Sequence, residues 1–247
     1  MLFPASVLVV ATFAVGWASP LTSPLEERFT KEDAGRMIRA SEGSLSPVYT
    51  PLAKYLVERL DLPSRNGIGV DLGGGPGNLV IELCKRTRLY WVNVDANPHF
   101  SPHFLSRADE EGVGDRVGSV FGDAQALPFR DDYADVVVSR GSFQFWEDKA
   151  LAFREIYRVL KPGGVAFVGR GFSPSFPVGE ALRIRAGQMK CGKLWSQYSV
   201  SETEEDLRTA LHEAEIREFH ILIPEKHDAN GKRVNYGIWV QFVKGAK

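Results

Sequence analysis

The chain has 247 residues, 44% of them hydrophobic, enough to bury one sizeable core as a single domain. Its 30 basic side chains balance 31 acidic ones, which excludes a polyelectrolyte surface for nucleic acid or anionic membrane on bulk charge. Cys84 and Cys191 fit no metal or disulfide spacing, and Cys84 falls in an apolar helical run that suggests a buried thiol.

Residues 1–25 carry no charged side chain, and residues 2–18 are strongly apolar. Gly16 and Ala18 put small residues where a signal peptidase inspects them. No Lys or Arg precedes the apolar run, Pro4 interrupts it, and at about 17 residues it is at the short limit for a membrane span. A signal peptide, an anchor and an extension ahead of the true start all remain open for residues 1–20. From 29 to 60 the pattern is helical, broken by a loop at 41–51 whose prolines and small residues mark a turn. Tyr49, in that loop, either faces a ligand or simply packs.

The stretch VDLGGGPGNL, residues 70–79, organises the rest of the chain. Ile68, Val70 and Leu72 alternate as in a strand; glycines and Pro76 break it, and residues 79–83 resume at helical spacing. Strand, glycine turn, helix brings backbone N–H groups and a helix N-terminus to an anionic ligand. A dinucleotide turn requires G-x-G-x-x-G. Gly73 and Gly75 match it, but Asn78 stands at the third position and Gly77 comes one place early. An ordinary βα turn is the alternative.

Residues 89–95 form the second strand, ending in Asp95, roughly twenty residues past the glycine turn, where a carboxylate holds a ribose diol. Asp95 is expected to have few partners besides such a ligand. His99 and His103 lack a third ligand, so no metal is expected. A third strand at 116–122 precedes Asp123-Ala124, where a carboxylate suits an adenine amino group. Residues 134–140 make a fourth strand, apolar enough to be buried on both faces. Phe143, Phe145 and Trp146 then either sheathe a ligand or pack the helix at 149–160. A fifth strand spans 165–169. Residues 172–200 depart from the alternation and carry Arg183, Arg185, Lys190 and Lys193 against Glu180 alone. They read as a lid with cationic substrate contacts or as a solvated basic face. An acidic helix at 202–214 precedes two strands, 216–224 and 234–243, joined by a polar hairpin turning at Asn230-Gly231.

Alternating strands and helices with a terminal strand pair indicate an α/β three-layer sandwich around a mostly parallel, Rossmann-like seven-stranded sheet. The motifs VDLGGGPGN, Asp95 after the second strand, GDAQALPF, DDYADVVVSRG, WED and LKPGG resemble, in order and spacing, the class I S-adenosylmethionine (SAM)-dependent methyltransferases. The look is of the small-molecule branch that includes the ubiquinone and menaquinone C-methyltransferases, over about residues 65–170. Pro76 departs from the usual Ser or Thr. The absence of an Asn/Asp-Pro-Pro-Tyr motif after the fourth strand speaks against base-modifying enzymes.

The resemblance implies an antiparallel terminal strand and a SAM-binding domain over residues 65–247, with residues 21–64 as a helical cap and a lid at 172–200. It implies that Asp71, Gly73, Gly75 and Gly77 line the methionine moiety, Asp95 and Ala96 the ribose, Asp123 and Ala124 the adenine, and Arg140 the cofactor's floor. Tyr49, Phe143, Trp146, Arg183 and Arg185 are the candidate acceptor contacts, and no catalytic base is evident. The expected activity is methyl transfer to a small molecule. An NAD(P)-dependent oxidoreductase and a non-catalytic SAM-binding protein are the alternatives. Because SAM is a cytosolic metabolite, the cytoplasm is the expected compartment, with any membrane association confined to residues 1–20.

Overall fold

A computed structural model describes residues 29–190 and 198–245. The expected leader at 1–20, Cys191 and Lys193 lie outside them. Strands β1 (Ile68–Leu72), β2 (Tyr90–Asp95), β3 (Val117–Phe121), β4 (Ala134–Arg140) and β5 (Leu160–Gly171) run parallel to one another. They are followed by β6 (Phe219–Leu222), a separate hairpin of β7 (Glu225–His227) and β8 (Arg233–Asn235), and β9 (Gly237–Val243). The seven-stranded order is β3-β2-β1-β4-β5-β9-β6, and β9 is antiparallel to both neighbours. Among the described residues seven helices flank the sheet: α1 (Lys31–Glu42), α2 (Ser46–Arg59), α3 (Asn78–Cys84), α4 (Ser101–Glu110), α5 (Lys149–Val159), α6 (Val178–Lys190) and α7 (Val200–Glu213).

The strands alternate as a sheet buried on two faces requires. Val136 and Val138 of β4 join the core beneath α2, α3, α4 and α6, whereas Val137 joins that beneath α5 and α7. Phe167 and Trp239 fall on the first face, Ala166 and Val240 on the second. A fully buried Val or Phe side chain contributes about 1.5–3 kcal/mol. Gly69 is needed where it stands: a Cβ there would lie 2.5 Å from the fully buried Trp91 ring. The indole N–H of Trp91 donates to Thr87 Oγ1 at 2.9 Å. Cys84 is buried in the first core.

The structure departs from the sequence pattern in three places. Of the loop expected at 41–51, only 43–45 separates two helices, because α2 begins at Ser46. Pro47 sits in its first turn, where the missing N–H costs nothing, and burial of Val48, Tyr49, Leu52 and Leu56 outweighs the bond lost at Pro51. The polar hairpin expected between the last two sheet strands forms, with Asp228 N–H donating to the Lys232 carbonyl at 2.9 Å. Its arms β7 and β8, however, make a sheet of their own, so Val234, expected in the last strand, lies in β8 and that strand begins at Gly237. The excursion at 172–200 contains α6, whose Ala181 and Ile184 enter the core.

Strand order runs outward from β1 in both directions, to β2 on one side and β4 on the other. The carboxyl ends of β1 and β4 therefore flank a topological switch point, where open α/β sheets hold their ligands. Among the described residues no helix is long and apolar enough to cross a membrane.

Candidate active site

A cleft of about 360 Å³ opens at that switch point. Its floor is the turn after β1. Gly73, Gly75 and Gly77 all have positive φ, between 55° and 77°, a region closed to most side chains. Gly73 and Gly74 donate to the Val94 carbonyl at 2.7 and 3.3 Å, which ties the turn to β2. Gly73 and Gly75 line the cleft. Gly77 does not: it precedes α3, and a Cβ there would come within 1.9 Å of Phe104 on α4. Its Cα faces the α3–α4 packing, outside the lining of the cleft.

Two carboxylates face the cleft from neighbouring strands. Asp95 accepts from the N–H groups of Gly75 and Asn97, both at 2.8 Å. Burial raises its pKa, and those two bonds oppose the rise. Asn93 completes the brace by donating to the Gly75 carbonyl at 2.9 Å. The expectation that Asp95 has few partners of its own is thus corrected: it holds the glycine turn.

Asp71 is the opposite case. It is 1% exposed, and neither carboxylate oxygen has a hydrogen-bond partner. Burial, with repulsion from Asp95, pushes its pKa up to about 7, against the attraction of Arg140. A buried carboxylate without partners is costly to the fold unless a ligand satisfies it.

Arg140 ends β4, its Nε donating to the Gly171 carbonyl at 3.3 Å and its guanidinium 5.5 Å from the centre of the Tyr49 ring. Desolvation lowers its pKa, against the pull of Tyr49 and Asp71. Tyr49, on α2, is buried beside it, and burial raises its phenol. Ala96, Asp123, Ala124 and Trp146 also line the cleft. Asp123 accepts from the N–H of Gln125 at 2.9 Å, leaving further lone pairs for a donor.

Residues 70–168 match the methyltransferase domain family model. A 2-methyl-6-phytyl-1,4-hydroquinone methyltransferase of Spinacia oleracea is 38% identical over 120 residues, 49% of this chain and 34% of that one. The ubiquinone/menaquinone biosynthesis C-methyltransferase UbiE of Proteus mirabilis is 35% identical over 116 residues, 45% of each chain. The match thus spans about a third of the plant relative's length and under half of the bacterial one's. A crystal structure from Methanococcus maripaludis, described as an S-adenosyl-L-methionine-dependent methyltransferase, superposes with a TM-score of 0.76 at 29% identity. That superposition covers 94% of this chain and 99% of the other. Residues 70–168 therefore match a methyltransferase domain, and the neighbour that superposes over nearly the whole chain is described as using S-adenosylmethionine.

The cleft also gathers residues that the sequence pattern does not flag. Phe29, Asp33 and Met37 line it in and just before α1, joined by Phe100, Gln125 and Ser142, and Phe145, one of the aromatic residues expected to sheathe a ligand, lines it too. A signal for the first group exists in Thr30, which caps α1 reciprocally with Asp33. The segment is tied down by Asn97, which donates to the Thr30 carbonyl at 3.2 Å, and by Asn78, which donates to the Ser41 carbonyl at 3.2 Å.

Two candidates fall elsewhere. Phe143 is buried in the core, edge-on to Trp146 at 6.5 Å between ring centres, and packs rather than sheathes a ligand. Arg183 is exposed on α6, whereas Arg185, two residues on, lines a smaller cavity of about 140 Å³. That cavity shares Met37, Arg140, Gly141 and Phe145 with the cofactor cleft. Among the described residues, no three His, Cys, Asp or Glu side chains are grouped to hold a metal ion.

Proposed function

We propose that the protein transfers a methyl group from S-adenosylmethionine to a small molecule. The observation that carries this is Asp71, a carboxylate with no partner in the wall of a cleft that also holds Arg140. An amino-acid zwitterion answers both groups: its ammonium pairs with Asp71 and its carboxylate with Arg140. Asp95 then takes the ribose hydroxyls on lone pairs that Gly75 and Asn97 leave open, beside Ala96. Asp123 accepts from the adenine amino group, and Ala124 gives the ring a buried flat contact. Residues 29–64 act as a cap over the cofactor, with Tyr49 facing the acceptor, and residues 172–190 as a wall of the acceptor site, with Trp146 beside the cofactor.

Bound SAM supplies an electrophilic methyl group on a sulfonium sulfur. What remains for the chain is to align the acceptor with that methyl and to keep water out, and such positioning can supply about 7–11 kcal/mol. No histidine lines the cleft among the described residues. The reaction therefore suits acceptors that are nucleophilic, or readily ionised, without a histidine base.

The names of the relatives specify hydroquinones and quinone precursors, but less than half of this chain aligns with them. We take from them the reaction and not the acceptor. Calorimetric titration of SAM, S-adenosylhomocysteine and NAD into the purified protein tests the reading. Binding of both adenosyl compounds, followed by S-adenosylhomocysteine release with cell extract, supports it. Binding of NAD without SAM overturns it, and SAM binding without turnover by any extract fraction reduces it to a binding protein.

A further inference from the structure

The smaller cavity is built from chemistry that the cofactor does not need. Three arginines from separate elements line it: Arg140 at the end of β4, Arg170 in β5 and Arg185 on α6. Each lies over an aromatic ring. Arg170 sits 3.8 Å from the centre of Tyr198, Arg185 5.3 Å from Phe172 and Arg140 5.5 Å from Tyr49. A guanidinium at such a distance from a ring face gains a cation–π attraction.

Gathering like charges is unfavourable, and more so away from bulk water. Arg170 registers it: its pKa falls, first through burial and then through Arg185 and Arg140, against the pull of Tyr198. No acidic side chain lines this cavity among the described residues. Two buried polar atoms of residues on its wall, the Tyr198 hydroxyl and Gln144 Oε1, have no hydrogen-bond partner. A pocket of converging cations with orphaned polar atoms is complementary to an oxyanion bearing further polar groups.

We propose that the methyl acceptor carries an oxyanion, a carboxylate or a phosphate, held in this cavity by Arg170 and Arg185 with the Tyr198 hydroxyl. The shared lining at Arg140, Gly141 and Phe145 lets the rest of the acceptor reach the cofactor cleft. Arg140 serves the cofactor's own carboxylate, so the acceptor's anion falls to the two arginines beyond it. This rests on the methyltransferase reading and names the acceptor class for it.

The test uses the full chain saturated with S-adenosylhomocysteine, so that Arg140 is already engaged. Inorganic phosphate, pyrophosphate and benzoate are titrated in by calorimetry, which separates phosphate from carboxylate recognition. At least one is expected to bind, and Arg170→Gln and Arg185→Gln are each expected to weaken it at least about tenfold. S-adenosylhomocysteine affinity should stay within about twofold, and Arg185→Lys should recover part of the loss. Anions that fail to bind the loaded wild type, or bind the glutamine variants equally well, overturn the proposal. If Arg170→Gln does not fold, Arg185→Gln on the part-exposed helix decides alone. Failure of S-adenosylhomocysteine itself to bind would sink the methyltransferase reading instead.

Discussion

At the carboxyl ends of β1 and β2 the cleft is lined by carboxylates and by backbone bent through glycine. Past Arg140, where β5, α6 and Tyr198 meet, it is lined by guanidinium groups on aromatic rings. The first region is assembled from residues close in sequence and braced by hydrogen bonds around one turn. The second is drawn from distant segments that only the folded sheet and its outer helices bring together. A ligand that spans both therefore meets a rigid acidic end and a cationic end whose geometry depends on tertiary packing. Substitutions at either end test whether the two regions are as different as their construction implies.

The largest effect is expected at the glycine turn. Gly77 combines a φ of 77° with a Phe104 ring where its Cβ would be. Gly77→Ala should destabilise the protein by about 3 kcal/mol or more, from backbone strain and overpacking together. Denaturant unfolding measures it. Near-native stability would mean that α3 and α4 do not rely on this contact, and that Gly77 is kept for a ligand after all.

Asp95 comes next, and its expected effect is double. The loss of charged bonds to the ribose should weaken SAM binding by roughly 2–4 kcal/mol in Asp95→Ala, on the order of 30- to 1000-fold. The variant also strands the N–H groups of Gly75 and Asn97, which should lower stability by about 1–3 kcal/mol. Calorimetry and thermal unfolding on the same samples separate the two. Lost affinity with unchanged stability would show that the turn keeps its shape without the carboxylate.

The same contrast governs how much of the site is legible in the sequence. The sheet, the glycine turn and the strand-end positions of Asp71, Asp95 and Asp123 follow from period-two alternation and turn chemistry within short windows. The prolines flanking Tyr49 suggest a loop, yet the burial of its neighbours carries the helix through them. Phe143 and Trp146 are indistinguishable in sequence, since both are aromatic and three apart. Only packing shows that one faces the core and the other reaches the cleft. Arg170 lies near the end of a long strand and carries no local signal. Its neighbours in the cavity come from a phenylalanine-containing loop and a helix that no short-range pattern connects to it.

Asp71 should show a smaller effect with opposite signs in two measurements. Its folded pKa of about 7 lies above the ordinary value of 3.8. Between those limits the native state holds a proton that the unfolded state has released. The ligand-free protein therefore loses stability as pH rises from about 4 to 7 and levels off above. Asp71→Asn removes the buried charge, so its ligand-free melting temperature at pH 8 should rise by a few degrees. Its SAM affinity should fall about tenfold or more as the ammonium loses its counter-charge. An ammonium ligand favours the ionised carboxylate, so wild-type binding at about pH 6 should release a proton. Titrations in buffers of different ionisation enthalpy detect it. Binding without proton release would place the ammonium elsewhere.

The smallest effect is expected at Arg183, and it probes the cationic end. Arg183 and Arg185 lie two residues apart on α6, so a helix turns them to different sides. The first is exposed, and the second lines the cavity with its guanidinium over Phe172. If that cavity recognises an oxyanion through contact, Arg183→Ala should leave anion binding to the S-adenosylhomocysteine-loaded protein within about twofold, since an exposed charge is screened over about 8–10 Å in physiological salt. Arg185→Ala should weaken it at least about tenfold. Repeating both titrations at low salt gives the sharper comparison. Equal losses in the two variants that vanish as salt is raised would mean that the excursion attracts anions through its overall field. The three guanidinium groups would then be a basic face and not a binding site.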